Sequence, residues 1–394
     1  HGRVPRMKRS RLRVAEEGWG PLLFVLLTIT VCAVPVTHDA TLYVSPAGQD
    51  DGPGSVERPF RTLEAARDAV RALPVKGGHT VYLRDGTYSR SATFALSVED
   101  SGRPGRPNVY AAFSNETVVL TGSVTVPAGA LDRQIKPDML TRIPEAARRH
   151  VVSVDYRALD VTAFDRDGRG ARPPDIYWGG RPMHPARWPN EGYLKTGRIM
   201  RTGSVPRNGR PDMAHRKEYV PPEERDDPPL GGIFEYEGDR PARWSRASDI
   251  RMKGFWKVDW YTEVLTVKSI DTEARRIETV EPHLYGIVAD RRYYVFGLPE
   301  ELDAPGEFYV DRDAGRLYLY PFPGEGAAPA VHITRLEDAL FAVNQASDIV
   351  LRGVELAMSG RDLVRISGGR DNLVAGCRLR LAGGRAVGID GGFH

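Results

Sequence analysis

From Val331 onward the chain runs in short triplets of apolar, variable and apolar residues, separated by glycines. Moving the last stretch, GCRLRLAGGRAVGIDGG, back by 23 residues sets Gly376-Cys377-Arg378-Leu379 on Gly353-Val354-Glu355-Leu356, and Val387-Gly388-Ile389 on Val364-Arg365-Ile366. A second step of 23 residues brings Val331-His332-Ile333 and Phe341-Ala342-Val343 into the same two slots. Each slot has the period of a short strand with one buried face. Two such strands with glycine corners make one turn of a parallel β-solenoid. A repeat in the twenties also suits a leucine-rich repeat, but DIVLRGVELAMSG lacks the Asn and the spacing of that framework. Stacking at about 4.8 Å would set Glu355 beside Arg378 and Asp362 beside Arg385, two opposite-charge neighbours. A solenoid end needs a cap. The pattern still runs at Gly391-Gly392-Phe393-His394, so further coils are expected beyond it.

The same alternation opens the chain. TLYVSPAGQDDGPGSVERPF reads as a strand and a Gly/Asp/Pro loop. RTLEAARDAVRAL then puts Leu63, Ala66, Val70 and Leu73 on one helical face, with Thr62 as N-cap. Four short strands follow, in HTVYLRDGTY, SATFALS, PNVYAAF and ETVVLTG, with no second helix among them. An all-β solenoid closed at its N-terminal end by one helix accounts for this order. Residues 125–330 break the pattern. Two hairpins stand out, LTVKSIDTEARRIETV and EFYVDRDAGRLYLYPF, the latter turning at Asp313-Ala314-Gly315. Trp178, Trp188, Trp244, Trp256 and Trp260 all lie here, and a polar, Pro-rich loop spans 203–232. The expected organisation is a signal peptide at 1–33, a cap and first coils at 41–124, a β-rich insert at 125–330 and coils of the 23-residue repeat at 331–394.

These residues carry a resemblance. LYVSPAGQDDGPGSVERPFRTLEAARDAVRAL followed by VYLRDGTY resembles the opening of secreted right-handed parallel β-helix proteins of the pectin-lyase-like superfamily. PARWPNEGYL, DAPGEFYVDRDAGRLYLYPF and the terminal GCRLRLAGGRAVGIDGG are similar to a long bacterial branch, the β-helix glycoside hydrolases of plant-glycan breakdown. The resemblance implies a right-handed parallel β-helix and a polysaccharide or oligosaccharide substrate. It leaves the reaction open, because the superfamily holds lyases, hydrolases, esterases and binding proteins. In the hydrolases it implies, the catalytic aspartates come from coils nearer the C-terminus. No position here matches them, so the catalytic residues are left unassigned.

Composition adds an export signal. Arg3, Arg6, Lys8, Arg9, Arg11 and Arg13 precede an apolar run from Leu22 to Ala33, and Val31-Cys32-Ala33 offers small residues for cleavage. The run is short for a membrane span, so no stable membrane insertion is expected once it is removed. Without residues 1–33, 49 basic and 50 acidic side chains remain and the formal charge moves from +3 to −1. Nothing then points to nucleic acid. Cys377 becomes the sole cysteine, in an apolar slot.

Neither cofactor nor metal is expected: there is no phosphate-binding loop, dinucleotide fingerprint or His/Cys ligand spacing. DRDGRG from Asp165 starts like a calcium loop but lacks the later acidic ligand. Sugar hydrolysis needs two carboxyl groups at a set separation, which outward positions on neighbouring coils can supply. Glu355 and Asp362 face basic neighbours and read as ladder pairs. Asp390 stands over Ser367 and Asn344 in a polar stripe that suits either a groove or a turn. Aromatic faces also bind sugars. Arg187, Trp188 and Asn190 form one candidate group, and Trp256, Asp259 and Trp260 a second. The competing reading sets these tryptophans in the packing between insert and solenoid. A glycoside hydrolase is the expected activity. The alternatives are a lyase that β-eliminates a uronic acid with Ca²⁺, for which the region after 331 offers arginines but no acidic cluster, and a non-catalytic glycan-binding solenoid. The oligomeric state is not legible.

Overall fold

The computed structural model describes residues 40–165, 173–206, 229–244, 249–324 and 329–392. The leader, most of the DRDGRG turn and most of the Pro-rich loop lie outside these residues.

Three parallel sheets make the solenoid. The first carries Thr41–Val44, Thr80–Leu83, Asn108–Ala112, Ile349–Arg352 and Leu373–Ala375, in that order. The second carries Gly86–Ser89, Val118–Thr121, Glu355–Ser359 and Arg378–Ala382. The third carries Phe94–Leu96, Phe341–Asn344, Val364–Ser367 and Val387–Asp390. Each of four coils gives one strand to each sheet, and Thr41–Val44 adds a fifth strand to the first, which is a parallel β-helix. The alternation in each strand turns one side chain in two inward, so Tyr88, Leu120 and Leu356 stack in register through the core. Corners between the first and second sheets need a left-handed residue, and Gly353 and Gly376 supply it one coil apart, at φ 69° and 60°.

Helix Leu63–Ala72 closes the N-terminal end. Its Thr62 side chain accepts from the Ala65 N–H, and Leu63, Ala66 and Val70 join the solenoid core. Arg71 clamps the helix to the buried Asp100 through two hydrogen bonds of 2.7 Å.

The insert leaves the second sheet after Thr121 and returns at Phe341. Exit and return are laced together, for Gly122 O accepts from both Arg335 N and Leu336 N. A four-stranded antiparallel sheet of Arg181–Pro182, Ile176–Trp178, Val331–Thr334 and Ser123–Val126 stands next to the coils. One face of it shares a core with Val152–Asp155, Glu307–Asp311 and Arg316–Leu319 of a second four-stranded sheet. Between them in sequence lies an eight-stranded sheet, spanning Arg187–Trp188 to Arg292–Phe296, with a separate core that includes Phe234, Trp244, Trp256 and Tyr293.

The fold corrects one expectation. Spacing sets Val331-His332-Ile333 under Val354–Leu356, as a solenoid strand and the start of the C-terminal coils. The strand lies instead in the insert, antiparallel to Ser123–Val126 and Ile176–Trp178. The slot beneath Leu356 is filled by Leu120. Any two apolar alternations agree in phase, so sequence spacing cannot distinguish them. The second slot agrees with the expected register, Phe341 on Val364 and Val343 on Ile366.

Candidate functional site at the junction of insert and coils

Alternation gives the antiparallel sheet beside the coils two faces. Ile176, Trp178, Val331 and Ile333 face the insert core, while Tyr177 faces the solenoid. Tyr177 packs on Ala357 and Met358 and donates its hydroxyl to Leu381 O at 3.3 Å. Met358 and Leu381 hold left-handed backbone, at φ 57° each, although neither is glycine. That conformation is costly for a branched or long side chain. It recurs in two successive coils and interrupts the strand alternation where the insert docks.

Beside this dry contact the junction turns polar. Thr125 and His332 pair across their strands, Oγ1 to Nδ1 at 3.2 Å. The outward column of the second sheet offers Glu355, Arg378 and Arg380. Arg380 donates to a Glu355 carboxylate oxygen at 2.5 Å, and Arg378 reaches the other at 3.8 Å. Glu355 is 15% exposed and Arg378 77% exposed, so one guanidinium is committed to the carboxylate while the other reaches into solvent. Burial, and then the Arg380 charge, hold the His332 imidazole below its ordinary pKa. The result is a carboxylate, two guanidiniums and a neutral imidazole at one edge of the line where insert meets coils. Such a set can accept and donate hydrogen bonds to vicinal hydroxyls.

The other outward carboxylates of the coils are structural. Asp362 takes two hydrogen bonds from the Arg385 side chain, and the first cause of its lowered pKa is that pairing. Asp338 is held ionised by Arg365 in the same way. Asp390 is exposed at the end of its strand, in register with Ser367, itself in register with Asn344, and the expected polar stripe is present as a column. Among the described residues no group of three or more His, Cys, Asp or Glu could hold a metal ion.

The two aromatic groups expected from sequence fare differently. Arg187 spends its guanidinium on Pro189 O and lies over the Tyr294 ring at 3.8 Å. Trp188 is half-buried with Arg240 over its face at 4.1 Å, and Asn190 donates to Asp303 at 2.7 Å. Arg240 also pairs with the buried Glu301. These residues brace the eight-stranded sheet against the turn at 299–307. Trp256 is a correction: it is 0% exposed, stacked on Tyr293 at 5.6 Å, with its indole N–H on Glu263 O. Its ring belongs to the insert's own core, so neither a sugar nor the solenoid touches it. Trp260, four residues on, is 72% exposed, and Asp259 beside it lies 3.5 Å from Arg291 and 3.4 Å from Arg292.

Against known proteins, no family model matches the chain. It is 42% identical over 81 residues to the uncharacterized protein YwoF of Bacillus subtilis (strain 168), a match spanning 21% of this chain and 15% of that protein. It is 34% identical over 88 residues to pectate lyase PEL9 of Emericella nidulans, spanning 22% and 20%. The chain thus spans a fifth or less of the length of these curated relatives. A solved structure described as a glycoside hydrolase superposes with a TM-score of 0.61 over 88% of this chain and 63% of that one, at 17% identity. The chain shares the parallel β-helix fold of that structure.

In this β-helix protein, sequence reasoning finds Glu355 and Arg378 as a ladder pair but misses Tyr177, His332 and Arg380 as their neighbours. No local signal could have joined Tyr177 and His332 to them. Tyr177 and His332 come from two separate strands of the insert, and only the docking of its sheet brings them to the coils.

Proposed function

We propose that this protein is an exported, carbohydrate-active β-helix protein that binds a polysaccharide or oligosaccharide along the junction of insert and coils. Its proposed reaction is hydrolysis of a glycosidic bond. The observation that carries this is the cluster of Glu355, Arg378, Arg380 and His332 at that junction. Likeness of fold to a glycoside hydrolase and the short match to a pectate lyase support the carbohydrate class. Hydrolysis needs one carboxyl that carries a proton at working pH. Asp338 and Asp362, held ionised by arginines, are not suited to that acid role. Export rests on the leader at residues 1–33, and N-terminal sequencing of secreted protein should begin after Ala33.

The match to PEL9 also favours a second reading, β-elimination at a uronic acid, with Arg378 on the sugar carboxylate. Incubating the protein with plant polysaccharides separates the two. New reducing ends without unsaturated-product absorbance support hydrolysis, and that absorbance supports the lyase. In either case Glu355→Gln and Arg380→Ala should lower turnover at least tenfold. Binding with no new ends from the full-length protein would leave a non-catalytic glycan binder.

A further inference from the structure

We propose a second glycan-docking site beside the eight-stranded sheet, away from the junction, built on Trp260 and Tyr193 and taking pyranose chains. This rests on the carbohydrate reading above and adds a site that the junction does not need. Trp260 is the most exposed of the large apolar side chains among the described residues. An exposed indole of this kind calls for an explanation.

The ring is held in place. Tyr285 meets it edge-on at 5.6 Å and Tyr261 at 6.2 Å, and these two tyrosines contact each other at 5.5 Å. Both rest against His283, which is fully buried and fixed by Gly286 O at 2.7 Å. Edge contacts on the indole and a rigid base leave a face of the ring for a ligand, at little cost in side-chain entropy.

A second station lies beside the same sheet, just before its strand Leu194–Lys195. Tyr193 is 45% exposed and packs against Phe255 and Tyr294 at 6.0 and 6.1 Å. Arg292 joins the two stations. Its guanidinium lies 4.6 Å over Phe255 and 5.5 Å over Tyr193, and it also reaches Asp259 beside Trp260. Two apolar ring faces separated by an exposed carboxylate and guanidinium match the chemistry of a pyranose chain. Its C–H faces are apolar, and its equatorial hydroxyls both donate and accept. Asp259 faces both Arg291 and Arg292, so the strip between the rings offers a sugar hydroxyl both an acceptor and donors.

The test is binding of neutral xylo-, gluco- and manno-oligosaccharides by titration calorimetry and tryptophan fluorescence. It compares the wild type with Trp260→Ala, Tyr193→Ala, Asp259→Asn and the junction variant Arg380→Ala. Trp260 and Tyr193 are exposed, so their variants should keep the wild-type unfolding midpoint. The proposal expects Trp260→Ala to weaken binding on the order of tenfold or more, with a smaller loss for Tyr193→Ala and Asp259→Asn. It also expects Trp260→Ala to abolish the fluorescence change. Binding lost in Arg380→Ala but unchanged in Trp260→Ala overturns this site and leaves the junction reading standing. No binding of any glycan by the wild type overturns both. A wild-type dimer that Trp260→Ala dissociates would make the face a protein contact and overturn it as well.

Discussion

Leu356 rests in register on Leu120, and Ile333, one repeat length before it, belongs to another core. Leu120→Ala and Leu356→Ala should each cost about 2–5 kcal/mol, the range for emptying a leucine site in a closed core. Their double variant should fall short of additivity, because both line one cavity. Ile333→Ala combined with Leu356→Ala should be additive. Urea unfolding of these single and double variants measures this, and a coupled Ile333–Leu356 pair would contradict the register.

Gly122 is where the chain quits the coils for the insert. A Cβ there would lie 2.8 Å from Met358 O and 3.0 Å from Leu336 Cβ, with backbone on one side and a packed side chain on the other. Gly122→Ala should therefore destabilise by about 1–3 kcal/mol, as overpacking does elsewhere, and lower Tm. A midpoint equal to the wild type would show that exit and return strands are not laced this tightly.

The two neighbouring tryptophans should separate cleanly. Trp256→Ala opens the core it shares with Phe234 and Tyr293 and should cost about 3–5 kcal/mol. Trp260→Ala should change stability by less than about 0.5 kcal/mol. Equal losses in thermal unfolding would mean that the Trp260 face is covered.

Two buried groups give opposing pH dependences. Burial holds His283 at about 4, below the 6.5 of the free side chain, so its contribution is complete above pH 6.5 and is lost as pH falls toward 4. Burial holds Glu307 at about 7, above 4.5, so its contribution is complete below pH 4.5 and is lost as pH rises toward 7. Each swing is on the order of 3 kcal/mol, and between pH 4.5 and 6.5 they offset. Relative to the wild type, Glu307→Gln should gain stability with rising pH from 4.5 to 7. His283→Gln should lose stability relative to the wild type from pH 4 to 6.5. Denaturant midpoints across that range test the pair, and parallel curves for all three proteins would refute it.

Much of the solenoid is legible in the amino-acid sequence alone. The helix at 63–72, the strands that follow it, both hairpins and the Glu355–Arg378 and Asp362–Arg385 neighbours are readable from period, caps and turn residues. These are local properties, or repeats of a local property. The glycines at 353 and 376 fall one repeat apart for the same reason, since these two coils turn the same corner.

What only the tertiary structure decided is which alternating segment pairs with which, and what they enclose. Apolar alternation marks a strand but carries no address, so Val331–Thr334 suits a coil by spacing and enters an antiparallel sheet instead. Trp256 and Trp260 lie four residues apart, yet one is core and the other surface, because both fall beyond the strand Arg251–Gly254, where alternation no longer fixes which side a residue takes. The junction of Glu355, Arg380 and His332 depends on long-range docking of the insert on the coils. The sequence determined the repeating unit and its corners through period and turn chemistry, and the docking of side-chain faces decided where a ligand can meet them.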